Sequence, residues 1–230
     1  MVDKTFSIFS ACLKIAPYLL GYKPQQQKPR EVLTEKDVAL VNLRQKKGSV
    51  IVVIGSRDTG KTELCYRLAE FLDRPAFAVS PQQKPPDWIT WVKLEEILER
   101  VPPKSTLLMD DLPAYFGNRD YNEAFSRTLE KVIPMVRHEP HPPEFPLGEI
   151  HLIFSTQSAA QADRYILDCD AAFLKPLGIL MQDIERPHIA KIYRTLVDPE
   201  FEGKDDTWIQ KHAYMISRTY KGILEVKKTT

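Results

Sequence analysis

The chain has 230 residues, 43% hydrophobic and 27% charged, with a formal net charge of +1. That suits one sizeable globular domain and argues against a chain-wide basic field for nucleic acid. Three widely spaced cysteines, Cys12, Cys65 and Cys169, point to neither a disulfide framework nor a C-x-x-C zinc site, and fit a reducing cytosol.

Charge is uneven along the chain. Residues 1–48 carry a net +5 and the remainder a net −4. A solvated basic surface is the common explanation, and contact with phosphate backbones is the other.

Residues 5–20 are strongly apolar. Phe6, Phe9, Leu13, Ala16 and Leu20 recur at helical spacing, with Ser7, Ser10 and Lys14 as a narrow polar stripe. Lys14 and Pro17 interrupt the run, which is shorter than the ~20 residues needed to span a bilayer. The opening Met-Val-Asp-Lys is not a basic leader and no small-residue cleavage site follows, so a signal peptide is not expected. Three readings stay open: the segment packs on its own core, docks on a neighbouring subunit or capsid, or lies on a membrane surface. Pro24, Gln25-Gln26-Gln27 and Pro29 read as a linker. The expected division is therefore residues 1–33 and residues 34–230.

Thr34, with an acid three residues on at Asp37, predicts a helix over about 35–45. The apolar run Ser49 to Ile54 then predicts a strand. It runs straight into Gly55-Ser56-Arg57-Asp58-Thr59-Gly60-Lys61-Thr62, and a helical pattern follows from Lys61 to about Arg74, with Leu64, Leu68, Phe71 and Leu72 on one face. This is G-x-x-x-x-G-K-[ST] between a strand and a helix, the context that motif needs. The two glycines are expected to turn with positive φ and bring the backbone close to a ligand. Loop N–H groups and the positive end of the helix suit an anion. Lys61 can reach β- and γ-phosphates, and the Thr62 hydroxyl can bind Mg²⁺.

Ala76 to Ser80 reads as a short strand, Trp88 to Val92 as a second extended piece, and Lys93 to Val101 as a short helix. Ser105 to Met109 is an apolar run of strand length that ends in Asp110 and Asp111. Ligands of α/β sheets sit beyond the carboxyl ends of the strands, which puts both acids near the loop's phosphates. Asp110 would hold Mg²⁺ through water, and Asp111 would orient or deprotonate an attacking water.

Helical periodicity returns over Tyr121 to Val136, followed by Arg137-His138 and a proline-rich loop, residues 139–148. His138-x-x-His141 in that loop reads as surface chemistry rather than a metal site. Ile150 to Phe154 predicts a strand that ends in Ser155-Thr156-Gln157. A helix through Ala160 and Tyr165 and a strand over Asp170 to Leu174 come next. Ile189–Leu196, His212–Ser217 and Gly222–Val226 are β-prone and predict hairpins or an antiparallel extension.

Gly55 to Thr62, Leu107 to Asp111, and an Arg137-His138 pair ahead of the strand His151 to Gln157 together resemble the FtsK–HerA superfamily of P-loop ATPases. Across residues 48–175 the chain is most similar to the genome-packaging ATPases of tailless viruses with an internal membrane. The resemblance implies an α/β, three-layer ASCE/RecA-like domain with sheet order 5-1-4-3-2, a ring of subunits, and ATP-driven movement of double-stranded DNA in a host cytoplasm or virion. It implies phosphate and Mg²⁺ roles for Lys61 and Thr62, a metal carboxylate at Asp110, and the catalytic acid at Asp111, where most relatives have Glu. It also implies a polar sensor at Gln157 and an arginine finger for the neighbouring subunit at Arg137. The bland alternatives are a solvent-facing Gln157 and a helix-end Arg137 that offsets the dipole. The proline-rich insertion departs from shorter relatives.

Two rival functions remain at this level. One is a small-molecule kinase, which needs no ring. The acid pair and Thr156-Gln157 argue against it. The other is a nucleotide-gated assembly factor that moves nothing, which the amphipathic N-terminus keeps open.

Overall fold

In the computed structural model, the described residues are 34–79, 84–110, 132–133, 136–137, 148–157, 169–178, 181–182 and 185–227. The chain divides between Thr34 and Glu35, and everything described below belongs to the second unit. The segment 5–20, the acid Asp111, most of the expected helix over 121–136, the 139–147 part of the proline-rich loop and the expected helix near 160–167 lie outside the described residues.

The described elements are helix α1 (Glu35–Gln45), strand β1 (Ser49–Ile54), helix α2 (Lys61–Leu72), strands β2 (Ala76–Val79) and β3 (Thr90–Trp91), a 3₁₀ turn (Leu94–Glu96) running into α3 (Ile97–Arg100), strands β4 (Thr106–Met109), β5 (His151–Thr156) and β6 (Ala171–Leu174), helix α4 (Pro187–Ile192) continuing through a π-helical turn (Tyr193–Val197) into α5 (Asp198–Phe201), helix α6 (Asp206–Lys211), and strands β7 (His212–Ser217) and β8 (Lys221–Glu225).

The eight strands form one sheet in the order β3-β2-β4-β5-β1-β6-β7-β8. Its middle, β6-β1-β5-β4-β2, is the expected order 5-1-4-3-2 when those five strands are counted along the chain. All of their pairings are parallel. The sheet is wider than those five strands. β3 adds a parallel edge beside β2, and β7 and β8 add antiparallel strands beyond β6. Parallel strands are covered on both faces, so β1, β4, β5 and β6 are buried throughout and read as continuous apolar runs.

Side-chain alternation sorts the core into two layers. Val50, Val52 and Ile54 of β1 join Leu107, Met109, Phe154, Ile189, Tyr193 and Val197 on one face. Ile51 and Val53 join Leu108, Ile153 and Phe173 on the other, under Leu64, Leu68 and Leu72 of α2 and Leu40 and Leu43 of α1. Leu68 is fully buried there. Truncating it to alanine is expected to cost about 2–5 kcal/mol.

α2 ends at Leu72, two residues before the expected end. Asp73 takes a left-handed φ of 56° and its N–H closes on Glu70 O, which stops the helix. Ile189–Leu196 is helical rather than β. Pro187 sits in the first turn of α4, where its missing N–H and fixed φ favour a helix start. Buried Ile189, Ala190, Tyr193 and Val197 lie at helical spacing, a period that the β-branched residues of the run obscured.

Candidate phosphate-binding site

β1 delivers the loop 55–60 to the carboxyl edge of the sheet, and α2 begins at Lys61 directly after it. Gly60 has φ 82° and caps α2 in the left-handed region, as the motif predicts. Gly55 does not take positive φ, and here the sequence expectation is corrected. Gly55 is required for packing, since a Cβ there would lie 2.6 Å from Lys175 Cβ. Asp58 takes the second left-handed conformation of the loop, at φ 61°.

The loop is braced from behind. Gly55 N donates to Thr156 O at 3.3 Å and Ser56 N to Pro176 O at 3.0 Å. Thr59 Oγ1 donates to Ser56 O at 2.8 Å, and Gly178 N donates to Ser56 Oγ at 2.5 Å. No described residue accepts from the N–H groups of Asp58, Thr59 or Gly60. Free donors at a helix start are what a phosphate needs. Lys61 Nζ curls over the loop and donates to Ser56 O at 2.7 Å, a neutral acceptor that a polyphosphate would outcompete.

β4 and β5 bring the second part of the site. Asp110 follows Met109, and its N–H donates to Val79 O, so its backbone still runs with the sheet. Its carboxylate is held on both oxygens: Thr62 Oγ1 donates to Oδ2 at 2.9 Å, and Ser155 Oγ donates to Oδ1 at 2.6 Å. A hydroxyl and a carboxylate in contact at the helix start, beside free amide donors and a lysine, form the P-loop arrangement. This is the P-loop NTPase fold.

The site also fits a divalent cation. Thr62 and Asp110 are hard oxygen ligands of the kind Mg²⁺ takes, and Mg²⁺ draws its remaining ligands from water and phosphate. Among the described residues no three His, Cys, Asp or Glu side chains cluster to hold an ion by themselves.

Gln157 follows β5 and sits at the same edge, where Arg57 Nε donates to its Oε1 at 3.4 Å. Asp111 lies outside the described residues. Arg137 is not brought to this chain's own loop. It lies at the opposite, amino edge of the sheet, where Arg137 Nη2 donates to Asp170 Oδ2 at 3.0 Å and Val50 N donates to the same oxygen at 2.8 Å. Lys46 Nζ donates to Asp170 Oδ1. Burial raises the Asp170 carboxyl, but hydrogen bonds from Lys46, Val50 N–H and Arg137 outweigh it and hold the pKa below the usual value. A cavity of about 730 Å³ opens here, lined by Lys46, Arg137, Asp170, Ile189, Tyr193 and Arg218 among others.

Two residues missed in sequence reasoning belong to the site. Ser155 was legible only as a strand-end serine. β5 runs to Thr156, within the expected strand, and its pairing beside β4 brings the Ser155 hydroxyl onto Asp110. Lys175 had no motif at all, and it is a fully buried lysine behind the loop.

No protein-family model and no curated protein matches the chain. Among solved structures it is similar to the genome packaging NTPase B204 from Sulfolobus turreted icosahedral virus 2 in complex with AMPPCP, at 11% identity and TM-score 0.45, covering 80% of this chain and 100% of that one. It is similar to the cytoplasmic domain of the Thermomonospora curvata Type VII secretion ATPase EccC, at 15% identity and TM-score 0.46, covering 80% of this chain and 24% of that one. It is also similar to the flagellar accessory protein FlaH from Methanocaldococcus jannaschii, at 13% identity and TM-score 0.36, covering 62% of this chain and 78% of that one.

Proposed function

We propose that the chain binds ATP with Mg²⁺ at the loop 55–62 and hydrolyses it, and that a ring of identical subunits uses this hydrolysis to move double-stranded DNA. The task proposed for the ring is packaging of a viral genome, in a host cytoplasm or virion. The observation that carries the hydrolytic part is the chain of contacts Thr62–Asp110–Ser155 beside Lys61 and the loop amides that no described residue engages. The DNA part is supported by the pattern of Gly55 to Thr62, Leu107 to Asp111 and His151 to Gln157 on a sheet of order 5-1-4-3-2.

Bound Mg²⁺ supplies charge neutralisation on the β- and γ-phosphate oxygens. The residues of the chain do the rest. Loop N–H groups seat the phosphates and Lys61 Nζ exchanges Ser56 O for phosphate oxygen. Thr62 Oγ1 and the Asp110 carboxylate would hold the ion, Asp110 through water. Ser155 keeps the carboxylate in that orientation by donating to its other oxygen, the support a metal ligand needs. Gln157, placed beside Arg57, orients the attacking water, and Asp111 takes its proton. Arg137, half-exposed at the far edge of the sheet, serves the neighbouring subunit's phosphates, where it offsets charge that develops during transfer.

The deciding experiment is the ATPase rate with and without duplex DNA over a salt series, alongside mass in solution with nucleotide. Expected are a ring-sized mass and stimulation that falls steeply with salt and is indifferent to sequence, because backbone phosphates carry no base information. Hydrolysis with no stimulation at low salt overturns the motor and leaves a nucleotide-gated assembly factor. No hydrolysis under any condition overturns the ATPase.

A further inference from the structure

Lys175 follows β6 and is fully buried. Its Nζ donates to Ile209 O at 2.8 Å and to Gln210 O at 2.9 Å. Those carbonyls lie in the last turn of α6, where a helix supplies no N–H donors of its own. A cation there also meets the negative end of the helix.

The same two residues touch the phosphate loop. A Cβ on Gly55 would lie 2.6 Å from Lys175 Cβ, and a Cβ on Gly60 would lie 2.7 Å from Gln210 O. Both motif glycines are therefore flush against the two halves of one clasp. Lys175 N donates to Ile54 O at 2.7 Å, tying the clasp to the end of β1 as well. A loop that shifts when it takes phosphate cannot leave Lys175 and Gln210 where they are.

We propose that Lys175 is a positioning residue that couples nucleotide at the phosphate loop to α6 and, through it, to the C-terminal hairpin β7–β8. The coupling rests on the reading of the loop as a nucleotide site. The route is short. α6 runs into β7 without a break, since its C-cap His212 is the first residue of that strand. Its outer residues Asp206, Thr207, Gln210 and Lys211 are exposed, so its movement is available to a partner or a neighbouring subunit. The electrostatics favour the same direction. Burial pushes the Lys175 ammonium down to about 7, with Arg67 and, less strongly, Lys61 of α2 adding to it and Cys65 opposing. Phosphate arriving at Lys61 offsets that like charge, favours the charged lysine and tightens its bonds to the α6 carbonyls.

The test is hydrogen exchange on the full chain with and without ATP and its β,γ-nonhydrolysable analogue, each with Mg²⁺. Two amides report on α6: Ile209 N, which donates to Asp205 O, and His212 N, which donates to Trp208 O. Expected is nucleotide protection both at residues 55–62 and at these two amides. Lys175→Met should keep protection at 55–62, lose it at α6, and exchange about tenfold faster there even without nucleotide. Asp205→Ala loosens α6 from its other end, since the Asp205 side chain accepts from Trp208 N at 2.7 Å, and leaves the clasp intact. Coupling is reciprocal, so Asp205→Ala should also weaken nucleotide binding, by about fivefold or more. Protection at 55–62 without protection at α6 in the parent overturns the coupling alone. So does an Asp205→Ala variant with a loosened α6 and unchanged nucleotide affinity. No protection at 55–62 in the parent overturns the nucleotide reading and the coupling with it.

Discussion

Thr62 Oγ1 donates to Asp110 Oδ2 over 2.9 Å, although 48 residues separate the two. The contact joins the first turn of the helix after the loop to the end of a strand two places across the sheet, and Ser155 holds the same carboxylate from the strand between. Lys61→Ala and Asp110→Ala should each abolish hydrolysis, because neutralising phosphate charge is the main catalytic contribution. Ser155→Ala leaves Asp110 one oxygen short of its orienting donor. Its expected effect is a loss of about 10–100-fold in activity or in apparent Mg²⁺ affinity. Hydrolysis measured across a Mg²⁺ series checks it, and an unchanged midpoint and rate would make Ser155 a packing residue.

Asp111→Asn should bind ATP as the parent does and turn over slowly. The amide keeps the size of the side chain but cannot take a proton from water. A binding titration with a fluorescent nucleotide beside the steady-state rate separates the two effects. Equal loss of binding would put Asp111 among the metal's ligands instead.

Arg137 is tied to Asp170 at the amino edge of the sheet, away from its own chain's loop. As a finger for the next subunit it is worth ~10³–10⁵ in rate. Arg137→Ala should therefore bind ATP and assemble yet hydrolyse little. Mixing it with Lys61→Ala should recover part of the activity, because some interfaces then pair an intact loop with an intact arginine. If exchanged mixtures stay at the sum of the two parents, Arg137 is only an anchor for Asp170.

His151 is fully buried in β5 with Ser49 Oγ 2.7 Å from its Nδ1, and its Nε2 finds no partner among the described residues. Burial, then the nearby Arg74, push its pKa down to about 3, against a smaller pull from Asp170. The unfolded chain takes up a proton near pH 6.5 that the folded chain refuses. Stability from this group is thus present above about 6.5 and is lost as pH falls toward 3, by at most about 1.4 kcal/mol per unit. Denaturant melts of the parent and of His151→Leu between pH 7 and 4.5 should diverge, the parent falling more steeply. Parallel curves would show that His151 is protonated in the folded state.

The loop was legible because its chemistry is local. A strand, two glycines, a lysine and a hydroxyl residue occupy adjacent positions, and the anion they suit needs only the backbone between them. The five-strand order followed from resemblance, β7 and β8 are the antiparallel extension that the runs His212–Ser217 and Gly222–Val226 predicted, and β3 is a two-residue edge strand within the expected extended piece Trp88 to Val92. Ile189–Leu196 was misread because Ile and Leu satisfy both strand and helix periods over eight residues, and Pro187 decided between them.

The sequence by itself determined which segment forms the strand–loop–helix turn whose chemistry suits phosphate, since that geometry makes neighbours in sequence neighbours in space. Tertiary structure decided everything that depends on parallel strands laid side by side. It turned Ser155 onto Asp110 and sent Arg137 to the far edge of the sheet. It also gave Gly55 a different purpose from the one its motif suggests, because Lys175, 120 residues further on, passes behind it. Crossover connections bring residues from distant stretches to one edge, and no local period records which of them will meet.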